Sequence, residues 1–357
     1  MLINLVWKSN TGYINTIKDY VEAFGKYSKN EIFVTDWYSL KAQADIIVLH
    51  YSIMHAMHLH PPQYQLPNRY INFLRNYKKK FKGKIVAIIQ DEYYDVNLIR
   101  VFLKTIDVDL ILSCVPKEHH RIVYNTTPNA RIERVLTGYV PENKIFLKPQ
   151  PIKDRQILIF YRGKNLPFYY GKLGQWKKYI GINMKNYCEK NGIKNCNIAW
   201  NERDKLFGYD WINAMHSSKV TLATPSGLNV FHYDNKIINI CNKMQKSGVP
   251  YEIVEKQCNL QDGPIPMGQI SPKMFEAAMC GTVLVMYPGS YNGVFKKDIH
   301  YIELQPDFSN IEDVMRKIHD NDFLQKMSDR TYKDIVESGK YSYKTFINKV
   351  DGWLDEI

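Results

Sequence analysis

The chain has 357 residues, 45% of them hydrophobic and 24% charged, which excludes intrinsic disorder, a collagen-like repeat and a small cross-linked scaffold. That length favours two domains of ordinary size, each able to bury its own core. Its 48 basic and 36 acidic residues give a formal net charge of +12, which favours an anionic partner such as nucleic acid, a phosphorylated small molecule or an anionic membrane face.

The first half alternates short apolar runs with amphipathic ones. Strands are predicted at Leu2–Trp7, Ile32–Asp36, Ile46–His50, Lys84–Gln90, Leu110–Cys114 and Ile132–Val135, with helical stretches such as Ile14–Phe24 and Tyr70–Tyr77 between them. Strand, helix, strand at this spacing implies βαβ units, hence an open parallel sheet with right-handed crossovers. Leu147–Arg155 (LKPQPIKDR) is polar, carries two prolines and reads as an interdomain linker. The pattern then restarts with strands at Gln156–Tyr161, Asn197–Trp200 and Lys219–Ala223, and helices at Leu173–Lys190 and Tyr209–Ser217. A polar insertion from Asn229 to Pro266 precedes a helix, Pro272–Cys280, and a strand, Thr282–Met286. The end, Ile311–Ile357, reads as three helical segments broken near Asn321 and Gly339–Tyr341. No fixed-period repeat is visible, which argues against a solenoid.

The longest apolar runs are strand-sized, well short of the roughly 20 residues that span a bilayer. Met1–Trp7 followed by Lys8 reads as a strand rather than a secretory leader. The six cysteines form no C-x-x-C pair and are expected as apolar fillers in a reduced, cytoplasmic protein.

Two successive doubly wound domains leave a cleft between them, and strand ends beside it are where ligands gather. Pro272 suits the first turn of its helix and Ser271 its N-cap, so this helix end can receive phosphate oxygens. Arg162 ends the first strand of the second domain, with Lys164 close by, and can grip a diphosphate. Ser226 and Gly227 follow another second-domain strand, where glycine permits close backbone approach. Gly12 lies between the first strand and first helix, another place where phosphate or acceptor groups approach. His50 ends one strand and Asp91 and Glu92 end another, which makes the three candidates for a general base. His55, His58 and His60 have no carboxylate or cysteine at ligand spacing and read as a polar loop, so no metal site is expected. The run Lys78–Lys84 reads as a solvated helix end that can also meet anionic lipid headgroups. The basic residues are otherwise dispersed, without a nucleic-acid-binding signature, and no nucleic-acid partner is expected.

Gln269–Gly289 (QISPKMFEAAMCGTVLVMYPG) resembles the nucleotide-sugar motif of GT-B glycosyltransferases, in particular the family-1/family-4-like branch of bacterial surface-polysaccharide clusters. Gln90–Tyr93 (QDEY), Leu136–Pro141 (LTGYVP), Val220–Gly227 (VTLATPSG) and His300–Asn310 (HYIELQPDFSN) fit the same branch, in the same order. The resemblance implies an α/β, GT-B fold of two Rossmann-like doubly wound domains. Residues 1–150 would form the acceptor side, 151–340 the nucleotide-sugar side, and 341–357 a helix returning to the first domain. It implies a transferase that takes a nucleotide-diphosphate sugar, without other cofactor, to a glycan or lipid-linked oligosaccharide. Ser271, Lys273 and Glu276 would hold the donor, Glu276 at its ribose. Retaining relatives carry two glutamates with seven residues between them, and Gly268, with Gln269 beside it, stands where the first would be. The stereochemical outcome therefore stays open. An isomerase or phosphorylase of the same fold is the second reading.

Overall fold

The computed structural model describes residues 1–11, 15–41, 43–58, 65–142, 149–260, 263 and 265–357. The first sheet contains β1 (Leu2–Trp7), β2 (Glu31–Asp36), β3 (Ile46–Leu49), β4 (Lys84–Ile89), β5 (Leu110–Ser113) and β6 (Arg131–Arg134). All pairs are parallel, in the order β2-β1-β3-β4-β5-β6. Strands β3 and β5 are buried at every residue, as expected where helices cover both faces of a parallel sheet. The second sheet contains β7 (Ile157–Arg162), β8 (Cys196–Ala199), β9 (Ser218–Ala223), β10 (Val283–Met286) and β11 (Tyr301–Glu303). It is also parallel, in the order β11-β10-β9-β7-β8. Two Rossmann-like domains thus face one another in the GT-B arrangement.

The last helix, Tyr343–Asp355, lies against the first helix, Asn15–Tyr27, and buries Tyr343, Phe346, Ile347, Val350 and Leu354 in the first domain's core. Asp351 fixes the contact by accepting hydrogen bonds from the Ser28 hydroxyl (2.7 Å), the Lys29 amide (2.8 Å) and the Asn30 side-chain amide (3.0 Å).

Several elements depart from the sequence reading. His55 and His58 belong to a helix, Ser52–His58, rather than a loop, because Ile53, Met54, Ala56 and Met57 offer it a buried apolar face. His60 lies outside the described residues. The polar insertion holds two helices, Asn235–Lys246 and Tyr251–Gln257. Ile238, Cys241, Val254, Cys258 and Leu260 give them a small core with Tyr169 and Val230. Arg155, at the end of the linker, is buried, and its guanidinium donates to the carbonyls of Gln150, Ser218 and Cys280 and to the Thr282 hydroxyl. Desolvation lowers this guanidinium to about 10.

Candidate active site

The C-terminal strand ends of the two sheets meet. Beyond β5, the Cys114 carbonyl accepts from the Gln269 side chain at 3.0 Å. Beyond β6, Thr137 donates to the Ile270 carbonyl at 2.6 Å and accepts from Gln90, which follows β4. Gln269 in turn exchanges two backbone hydrogen bonds of 2.8 Å with Ser226, which follows β9. The insertion closes one side of this junction, because His232 donates to the Tyr93 carbonyl and accepts from Val96.

Two lysines occupy the second-domain side. Lys273, in the first turn of the helix Pro272–Met279, reaches back to the Leu222 carbonyl (2.9 Å) and lies 4.4 Å over the Tyr161 ring. Lys177, in the helix Gly171–Lys190, donates to the Ser226 hydroxyl at 3.3 Å. Its position depends on Gly163, where a Cβ would stand 2.6 Å from the Lys177 carbonyl oxygen. Both side chains keep part of their surface open while protein atoms surround them. Desolvation pushes Lys273 down to about 7, with Lys177 adding to the shift and Glu276 opposing it. Burial pushes Lys177 down to about 8, against the attraction of Asp91. Among the described residues, neither lysine forms an ion pair. Cations left without a carboxylate partner in a confined cleft favour an anionic ligand.

Ser271 occupies the N-cap of the helix Pro272–Met279, but its hydroxyl accepts none of the first-turn amides. Pro272 has no N–H and the Met274 amide donates to the Ser271 carbonyl at 2.9 Å, which leaves the Lys273 amide to another acceptor. Gly227, at φ +80°, lets the chain turn where a Cβ would press on Met267 and Gln269. Glu276 accepts a 2.8 Å hydrogen bond from the Trp211 indole. Ser226, Gly227, Ser271 and Lys273 thus gather where the sequence placed a donor site, and Lys177 joins them. Lys177 was not legible in the sequence, because in GQWKKYIG it reads as part of a solvated helix face.

Arg162 is placed differently. It lines a cavity of about 450 Å³ with Lys185, Trp200, Arg203, Lys205 and Leu206, and none of the residues around Lys177 and Lys273 lines that cavity. Its guanidinium donates to the carbonyls of Asp204 (2.8 Å), Tyr161 and Asn197 (3.0 Å each) and stacks on Phe160. Lys164 is exposed. Gly12 lies outside the described residues.

On the first-domain side, Asp91 follows β4 in a left-handed conformation, φ 61°. Its carboxylate accepts from the Tyr93 hydroxyl and is half-buried. Its charge acts on Lys177, Tyr170 and His58, which places it at the domain junction. Glu92 turns the other way. It is wholly buried and accepts from the Ser113 hydroxyl (2.9 Å), the Cys114 amide (2.7 Å) and Tyr124 (3.2 Å), so it ties β4 to β5 rather than facing the cleft. Desolvation raises its carboxyl to about 7. His50 is also buried, its Nδ1 held by Ser52 at 3.0 Å, and burial lowers it to about 3. A side chain sealed from the cleft has no path to an acceptor proton, so the geometry leaves Asp91 as the open member of the three.

No protein-family model matches the sequence. No curated protein matches it either. Solved structures do match along its whole length. An α-glucosyltransferase solved with UDP and a 13-mer DNA containing an HMU base has a TM-score of 0.59 and 10% identity, over 99% of each chain. Alr3699/HepE of Anabaena, solved with UDP and glucose, has a TM-score of 0.55 and 9% identity over 100% of both chains. OtsA without ligand has a TM-score of 0.51 and 11% identity, over 100% of this chain and 99% of its own. At such identities the likeness shows a shared fold.

Proposed function

We propose that this chain is a glycosyltransferase moving a sugar from a nucleotide-diphosphate sugar to a glycan or lipid-linked oligosaccharide, in the assembly of a bacterial surface polysaccharide. The observation that carries the donor class is the pair Lys177 and Lys273, which lies at the strand ends near Ser226 and forms no ion pair among the described residues. A diphosphate seated between them would also meet the Lys273 amide in the first turn beyond Ser271. Glu276 is assigned to the ribose, with Trp211 orienting its carboxylate. Lys164, whose charge acts on Lys177, is assigned to the donor as well, and Arg162, which lines a separate cavity, is assigned to it only as longer-range positive charge on the second domain.

In transfer, an acceptor hydroxyl oxygen bonds to the anomeric carbon while the bond from that carbon to the diphosphate breaks. Negative charge then accumulates on the leaving phosphate oxygens, where Lys177 and Lys273 stabilise it electrostatically. The acceptor proton goes to Asp91 if the reaction inverts, or to the departing phosphate if it retains. With two lysines at the leaving group, the reaction is proposed to need no divalent metal or other cofactor.

Structures of this fold solved with UDP make a uridine nucleotide the first donor to test. No helix among the described residues is long and apolar enough to cross a membrane. The exposed Lys79, Lys80 and Lys82 support a peripheral position at the inner membrane face, on the cytoplasmic side. A thermal-shift panel of nucleoside diphosphates and nucleotide sugars tests the donor, since a ligand of the folded state raises Tm by mass action. Transfer assays with glycan, lipid-linked and DNA acceptors, in chelator, test the rest. A panel in which no nucleotide shifts Tm overturns the donor assignment, and transfer to DNA alone overturns the acceptor.

A further inference from the structure

Outside the cleft, two cysteine pairs come into contact; Cys241 and Cys258 are both buried, whereas the pair Cys188 and Cys196 reaches the surface. Cys188 lies in the last turn of the helix Gly171–Lys190, and Cys196 opens β8, an edge strand of the second sheet. Between them the chain reverses tightly. The Ile193 amide donates to the Cys188 carbonyl at 2.9 Å, and Gly192 and Asn195 take left-handed conformations at φ 64° and 62°. The Asn195 carbonyl then accepts from Leu158 at 2.8 Å, which docks the reversal on β7. As a result the two sulfurs lie 3.6 Å apart, in an S–H···S contact. Cys188 is buried and Cys196 is half-buried. The other four cysteines, Cys114, Cys241, Cys258 and Cys280, are all buried.

We propose that Cys188 and Cys196 form a redox-reactive dithiol whose substrate is a small soluble disulfide such as oxidised glutathione. The sulfurs need to approach by only about 1.5 Å to reach bonding distance, within reach of side-chain rotation. Cys196 is the attacking sulfur, being the more exposed. The contact between the two sulfurs holds the Cys196 thiol below its ordinary value and raises Cys188. The Cys196 thiolate bonds to one glutathione sulfur, the glutathione disulfide bond breaks, and one glutathione thiolate leaves. Cys188 then loses its proton to solvent and attacks the Cys196 sulfur of the mixed disulfide, expelling the second glutathione. Two protein thiols are oxidised and one glutathione disulfide is reduced to two thiols.

The test uses the intact, folded wild-type chain in oxidised glutathione, quenched with acid and mapped without reduction. The expected result is loss of two hydrogens in mass. A disulfide should link the tryptic peptides 186–190 and 195–203, while Cys114, Cys241, Cys258 and Cys280 remain alkylatable only after unfolding. Cys188→Ser should instead trap one glutathione on residue 196, and Cys196→Ser should take up none on residue 188. Wild-type protein that keeps both thiols, or stops at the mixed disulfide, overturns the proposal. So does equal oxidation of the other four cysteines. The wild-type map alone decides the matter if either variant folds poorly.

Discussion

Lys177 and Lys273 tie ligand binding and stability to pH in opposite directions. Lys273 is pushed down to about 7 and Lys177 to about 8, so each carries its charge below that value and loses it above. A bound diphosphate favours the charged form, and nucleotide affinity should therefore fall as the pH rises through this window. In the unfolded chain both lysines titrate near 10.5. The unfolded state thus binds more protons between the folded and unfolded values, and stability of the ligand-free protein should rise with pH across it. Calorimetric titrations and thermal melts at a series of pH values check the two slopes. An affinity flat across the window would remove both lysines from the site. Substitution gives a second check. Lys177→Met and Lys273→Met should each weaken nucleoside-diphosphate binding about ten- to a hundredfold, the size of a lost charge-assisted hydrogen bond of about 1.5–3 kcal/mol. Arg162→Ala separates two roles for a guanidinium that already serves three carbonyls. Weaker donor binding in a folded variant supports the donor role. Lower stability with unchanged affinity would instead leave it as the anchor of residues 201–206.

At the scale of elements, what the sequence reveals depends on how much of an element's pattern is its own. Strands β3, β4 and β5 are buried on both faces, so their unbroken apolar runs are visible without any partner. The helix Pro272–Met279 shows itself through Ser271, Pro272 and Gly281, which are local signals. Short elements shaped by tertiary contact are hidden. Strand β11 has three residues, and its pairing with β10 rather than its composition makes it a strand. Arg155 looks like a linker charge until the folded chain surrounds it with carbonyls. The site divides in the same way. Ser226, Ser271 and Lys273 follow strand ends and helix starts, whereas Lys177 is identified only by the approach of its helix to Gly163. The last helix offers a prediction at this scale. Asp351 is buried and satisfies three donors on the first domain. Asp351→Ala would leave those donors without their charged acceptor, at a cost of about 1.5–3 kcal/mol. A fall in Tm with nucleotide affinity preserved at low temperature is expected. An unchanged Tm would mean that the apolar residues alone hold the helix.

At the scale of the whole molecule, the two domains share more than a linker. Leu228, Ile265 and Met267 come from the second half of the chain but are buried in the first domain's core, as are five apolar residues of the helix Tyr343–Asp355. Polar bonds cross the same junction, from Gln269 to Cys114, Thr137 to Ile270, and Asn235 to Asp95. Opening the cleft must break these contacts, and unfolding either domain removes part of the other's core. The protein should therefore unfold in one cooperative transition, although two-domain chains often show two. Scanning calorimetry checks this through the ratio of calorimetric to van't Hoff enthalpy, expected near unity. A nucleoside diphosphate present at about a hundred times its Kd should raise that single transition by the equivalent of about 2.7 kcal/mol. Two resolved transitions, with only one responding to nucleotide, would show that the second domain binds donor without support from the first. The crossing contacts would then be docking between independent units rather than a shared core.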